Sequence, residues 1–297
     1  MGNAFRLSST TMFDRIDDES NKQPFRIVFL SVEGNKTERQ YFECVEQYRH
    51  KLGIRNVVHI HPLRRAAKDN LCAPEDVLEL LEEFLLVRAT DKLPGRLKEI
   101  IPNEYSEEFV EQYINGELNA NDAATQSFER VLLEIGYDIE YNKFLTEYIG
   151  KDDVFGIVID RDHRSHTVPQ MKQVVEKCIE KGYKVYISNP LFELWLLLHL
   201  LDIDTLSVEE LQNIKDNKRV SDHHTYTSKR VSDIAGHSKS IPEKIFLKHY
   251  LPKIDFAIEQ AKRLETDVNK LIGDNRCEGE IGTNIFELFE LLREEVK

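Results

Sequence analysis

The chain has 297 residues, 41% hydrophobic and 31% charged, enough for one large domain or two small ones with ample core. Forty Lys and Arg stand against fifty-three Asp and Glu, a formal charge of −13, which counts against simple electrostatic coating of DNA or RNA. It leaves room for a nuclease that holds a phosphate through divalent ions and a local basic patch. No apolar run reaches the eighteen residues needed to span a bilayer, and four scattered cysteines without a CxxC pair argue against a zinc ribbon or a disulfide framework. A cytoplasmic protein with no membrane partner is expected.

Residues 1–24 read as a polar leader. Phe25 to Val32 is an apolar, β-branched and aromatic run that predicts a buried strand ending at Glu33-Gly34. Asn35 and Glu38 form an N-x-x-E capping-box pattern, opening a helix with Phe42, Val45 and Leu52 on its apolar stripe. A short strand is expected over Asn56–His61 and a helix over Pro74–Val87. Residues 91–150 are polar and mostly helical, read as an insertion between two parts of one α/β core, 25–90 and 151–201.

The αβ rhythm resumes with a strand over Asp153–Asp160, a helix over Val168–Lys181 closed by Gly182, and a strand over Tyr183–Ser188. An apolar helix over Leu191–Leu201 follows. Residues 202–297 read as a helical region packing on the core, with a long helix near 250–272 and a last one over Asn284–Val296. Alternating strands and helices predict a mainly parallel sheet, whose ligands bind beyond the carboxyl ends of the strands.

Glu33 and Asp160 both fall at such ends. Asp162, two residues on, places a second carboxylate where strand gives way to loop. Oxygen-rich carboxylate sets suit Mg2+, or Mn2+ in its place, and two such ions can drive phosphodiester cleavage. An exposed loop Glu and a solvated turn remain the plain readings of each motif alone. Glu193 is anomalous in an apolar helix: it is either a structural carboxylate near the helix's positive end or a further metal ligand. Trp195 and His199 read as core.

Lys36 at a helix start, with Arg161, His163, Arg164 and His166 around the Asp pair, forms the candidate phosphate patch. Lys36 reads equally as a solvated lysine, and His163 and His166 alternatively as transition-metal ligands. A second basic stretch, Lys218 to Lys239, includes His223, His224, Lys229, Arg230 and His237, and reads as either a nucleic-acid contact or a solvated loop.

The segments Val32-Glu-Gly-Asn-Lys-Thr-Glu38, Val158-Ile-Asp-Arg-Asp162, Ser188-Asn-Pro-Leu-Phe-Glu-Leu-Trp195 and Gly282-Thr-Asn-Ile-Phe-Glu-Leu288 closely resemble the bacterial RloB family. The likeness spans about residues 25–290. It implies a Toprim-like fold, shared with topoisomerases and bacterial primases, in which Glu33, Asp160 and Asp162 would be the catalytic, metal-binding carboxylates. It further implies antiphage defence by abortive infection: a nuclease acting on DNA or RNA, with tRNA among the candidates, and a partner ATPase. Homodimers occur among Toprim relatives. Two other readings stand beside this one, a non-cleaving sensor subunit and a magnesium-dependent nucleotide phosphohydrolase. No P-loop is present, so ATP hydrolysis would need another polypeptide.

Overall fold

The structure is a computed structural model that describes residues 26–34, 36–63, 73–90, 101, 104–114, 117–119, 121–135, 152–237, 239–274 and 278–295. The 1–24 leader and much of the 91–150 insertion lie outside the described residues.

Strand β1 (Arg26–Val32) is buried at every position, as its apolar majority demands of a strand covered on both faces, with Arg26 ion-paired to Asp152 and Ser31 donating to the Val77 carbonyl. Helix α1 (Thr37–Gln47) crosses to β2 (Val58–Pro62), and α2 (Pro74–Thr90) covers the other face. Two helices of the insertion, α3 (Glu107–Ile114) and α4 (Ala123–Ile135), close a small core of their own around Val110, Phe128 and Leu132. Then come β3 (Val154–Asp160), α5 (Val168–Lys181), β4 (Lys184–Asn189) and the short α6 (Glu193–Leu198). Helix α5 has the sharpest boundaries: Thr167 and Gln170 form a reciprocal capping box, and Gly182 closes the C-terminus in the left-handed region at φ 74°.

The sheet order is β2-β1-β3-β4-β5, with the first four strands parallel. The fifth, β5 (Gly282–Thr283), pairs antiparallel with β4 and is too short to leave a period in the sequence. Alternation divides the core. Val28, Leu30, Val32 and Val158 face α1 and α6, whereas Ile27, Phe29, Ile157 and Ile159 face α2 and α5.

The C-terminal region departs from the single long helix expected near 250–272. A tight turn at Leu251–Lys253 contains Pro252; α9 (Ile254–Ala261) follows, and Asp267 caps a separate α10 (Val268–Ile272). The earlier helices α7 (Val208–Asp216) and α8 (Tyr226–Ala235) flank the site described below, and α11 (Phe286–Arg293) ends the described chain. No described helix is long and apolar enough to cross a membrane.

A candidate metal centre in an acidic cleft

Chain order reverses at β1: α1 leads outward to β2, while β3 pairs along β1's other edge. Such a switch point leaves a crevice at the carboxyl ends of the two neighbouring strands. Val32 pairs with Val158 in register, and the Glu33 amide donates to the Val158 carbonyl at 3.1 Å. The two strand ends therefore stand side by side, and Glu33 and Asp160 with them.

The contact is direct. The Asp160 amide donates to Glu33 Oε2 at 2.9 Å, and the Phe192 amide donates to Asp160 Oδ1 at 2.8 Å. Asp160 shares its face of β3 with Val158, so it points toward α1 and α6 and is only 8% exposed. Burial raises its pKa well above the usual carboxylate range, and the charges of Glu33, Glu38 and Glu193 raise it further against the Phe192 amide. Burial likewise raises the pKa of Glu193, with Lys239 opposing.

Asp162 is held by the turn it starts. Ser165 Oγ donates to its Oδ2 at 2.9 Å and the Arg164 amide to its Oδ1 at 3.4 Å. His166 Nδ1 lies 3.2 Å from the Asp160 carbonyl and its Nε2 3.9 Å from Glu33 Oε1, so it backs the site as a neighbour of Glu33. Glu33, Glu38, Asp160, Asp162 and Glu193 all line one cleft of about 540 Å³.

Glu38 was legible in the sequence only as a capping residue, and the fold adds a second setting for its carboxylate. Asn35 lies outside the described residues; the N-cap of α1 is Lys36, which makes no side-chain cap bond. Glu38 falls in the first turn, 7% exposed, with its carboxylate over Gly34. A Cβ on Gly34 would meet Glu38 Oε2 at 2.0 Å, so the glycine of the Glu-Gly pair leaves space for a fifth carboxylate.

The basic residues separate into two sets. Arg164 and His163 line the cleft. Arg161 does not, which corrects its expected phosphate contact: it is 2% exposed, with Nε donating to the Ile272 carbonyl and Nη1 to the His166 carbonyl. Strand alternation explains this, because the residue after Asp160 turns to the opposite face. Lys229 and Arg230 pair with Asp233 and Glu210 outside the cleft lining, and Lys36 is exposed beyond it. From the second basic stretch, Arg219, His223, His224 and Lys239 line the cleft instead.

Behind the carboxylates, α1 and α6 are joined through a buried pair. Tyr41 Oη lies 3.1 Å from His199 Nε2, and His199 Nδ1 lies 2.8 Å from the Trp195 carbonyl. Burial drops the His199 pKa to about 3, so the ring is neutral: Nδ1–H donates to the carbonyl and Nε2 accepts from the tyrosine. Trp195 is fully buried, stacked on Phe289 at 5.5 Å, as a core residue should be.

The donor set suits a hard divalent cation in its chemistry, being all carboxylate oxygen. Among the described residues, no three Asp, Glu, His or Cys groups converge as a ready-made cage. Magnesium does not require one, since it commonly takes one or two carboxylates and completes its shell with water and substrate phosphate.

Fold and cleft define a mostly parallel α/β protein with an acidic crevice at its switch point. The chain belongs to the RloB-like protein family, whose model matches residues 28–292 and so takes in all the cleft residues named above and every described strand but the first two residues of β1. No curated protein and no solved structure shows a significant match.

Proposed function

We propose that the protein is a metal-dependent, Toprim-type nuclease that cleaves DNA or RNA phosphodiesters during bacterial antiphage defence. One observation carries the reading: Asp160 is buried in contact with Glu33 and within the field of Glu38 and Glu193, an arrangement of like charges that a divalent cation would neutralise. Glu33 and Asp160 would hold the ion, with Asp162, Glu193 and Glu38 around them. A bound magnesium or manganese ion supplies Lewis-acid polarisation of the phosphate and a water more easily ionised.

The chain's own groups do the rest. The Phe192 amide fixes the direction of the Asp160 carboxylate, and the Asp160 amide fixes Glu33. Arg164 and Lys239, at the margin of the carboxylates, give the phosphate a cationic approach that the overall charge denies elsewhere. A partner ATPase and a phage trigger fit the same defence role.

The test incubates purified protein with plasmid and with tRNA, in magnesium or manganese, beside Glu33→Ala and Asp160→Ala. Cleavage by wild type and its loss in both variants is expected; cleavage unchanged in the variants sinks the proposal. The cleft volume also lies within the range of small-ligand pockets, which favours nucleotide hydrolysis as a second reading. Release of phosphate from free nucleotides, with oligonucleotides untouched, would select it.

A further inference from the structure

The cleft has two unlike banks. One bears the carboxylates of β1, β3, α1 and α6. The other is built by the segment from the end of α7 to the start of α8, together with Lys239. Arg219, His223, His224 and Lys239 stand on this second bank beside Asp222 and Asp216, the latter paired with Lys218, and Arg164 joins the two banks by donating to the Asp216 carbonyl at 3.1 Å.

This bank is fastened at both ends. Asn217, in the left-handed region at φ 42°, closes α7, and its Oδ1 accepts from the Thr227 amide at 3.0 Å. Arg219 bridges to Thr225, the Val220 amide donates to the His224 carbonyl, and the Arg219 side chain donates to the Ser221 and Asp222 carbonyls. The next segment is clipped to α1: Thr37 Oγ1 donates to the Lys239 carbonyl at 2.9 Å, and Gln40 Oε1 accepts from Ser240 Oγ and the Ile241 amide. Opening the cleft wide would break the bonds from this bank to Arg164, Thr37 and Gln40 together with the packing of α8 on α6.

A fixed cleft of about 540 Å³ has room for one or two nucleotide units, whereas a duplex presents its scissile phosphates on a rod far wider than such a crevice. None of the described lining residues is Phe, Tyr or Trp, so the grip comes from charge instead of base stacking. We infer that the bank of Arg219, His223, His224 and Lys239 binds the phosphates of one unpaired nucleic-acid strand, and that the cleft admits single strands and rejects duplexes. The inference rests on the nuclease reading only for which phosphate lies over the carboxylates. The binding itself needs no chemistry.

The experiment measures anisotropy of a labelled twelve-nucleotide strand, as DNA and as RNA, alone and annealed to its complement. Calcium replaces magnesium so that nothing is cut. At least ten-fold tighter binding of an unpaired strand than of its duplex is expected in the DNA or the RNA arm. Lys239→Ala and the double change His223→Ala, His224→Ala should each weaken that binding several-fold. The Lys239 change should also lower the slope of log affinity against log salt by about 0.7, the value for one phosphate contact on a single strand. Lys181→Ala, on the α5 face away from the cleft, serves as the control with unchanged affinity. Equal or tighter binding of the duplex, no binding of either form, or wild-type affinity in both bank variants would overturn the inference. Single-strand preference without cutting in magnesium or manganese would keep it and discard the nuclease reading. Cutting without that preference would do the reverse.

Discussion

Mild acid should loosen the joint that holds the two carboxylate-bearing helices together. His199 sits fully buried between Tyr41, three residues beyond Glu38 on α1, and the Trp195 carbonyl of α6. Its folded pKa is about 3 against an ordinary 6.5, because burial penalises the charged ring. The unfolded chain therefore takes a proton between those values that the folded chain refuses. The stabilisation is complete above pH 6.5 and is lost progressively as pH falls toward 3. Between pH 7 and pH 5 the loss is about 2 kcal/mol, at 1.4 kcal/mol per pH unit once below 6.5. For a chain of this length, at about 2.1 cal/mol/K of unfolding entropy per residue, that lowers the melting temperature by roughly 3 °C. Calorimetry of wild type and His199→Gln at the two pH values isolates the contribution, since all other titrating groups are common to both. His199→Gln should melt lower at pH 7 yet fall less on acidification. An identical fall in the two proteins would refute the assignment of a buried neutral imidazole.

Gly34→Ala should reduce divalent-metal affinity and any cleavage at least ten-fold while moving the melting temperature little, because the new Cβ meets the movable end of Glu38; isothermal titration with manganese checks it. Arg161→Leu leaves the Ile272 and His166 carbonyls without their charged donor and should cost about 3 kcal/mol of stability. Urea unfolding measures this, and a variant as stable as wild type would return Arg161 to the phosphate-contact role. Asp160→Asn keeps an oxygen for the Phe192 amide and removes a buried charge. Without metal it should therefore be at least as stable as wild type by the same urea assay, and a clear loss would contradict the burial-raised pKa.

Much of the core was readable because its signals are local. The runs of β1 and β3 are apolar at most positions and show no alternating polar face, and Gly182 ends α5 where a left-handed residue is needed. The pairing of Glu33 with Asp160 followed from one topological rule about strand ends. Other features depended on contacts remote in sequence. Glu38 resembled a cap because its i+3 spacing from Asn35 is the capping-box spacing, and only the fold shows its carboxylate over Gly34. The break between α9 and α10 is set by β5, whose Gly282 packs against the Glu265 backbone so closely that a Cβ would lie 1.9 Å from the carbonyl oxygen. Arg161 was within reach of sequence reasoning: strand alternation applied one residue past Asp160 already turns it away from the cleft.

Manganese titration of metal-stripped protein tests the central claim most directly. If Glu33 and Asp160 form a cation site, wild type binds the ion saturably, and Glu33→Gln and Asp160→Asn, both still folded by circular dichroism, lose at least ten-fold in affinity. Manganese binding equally well to both variants, or not at all to wild type, would contradict it.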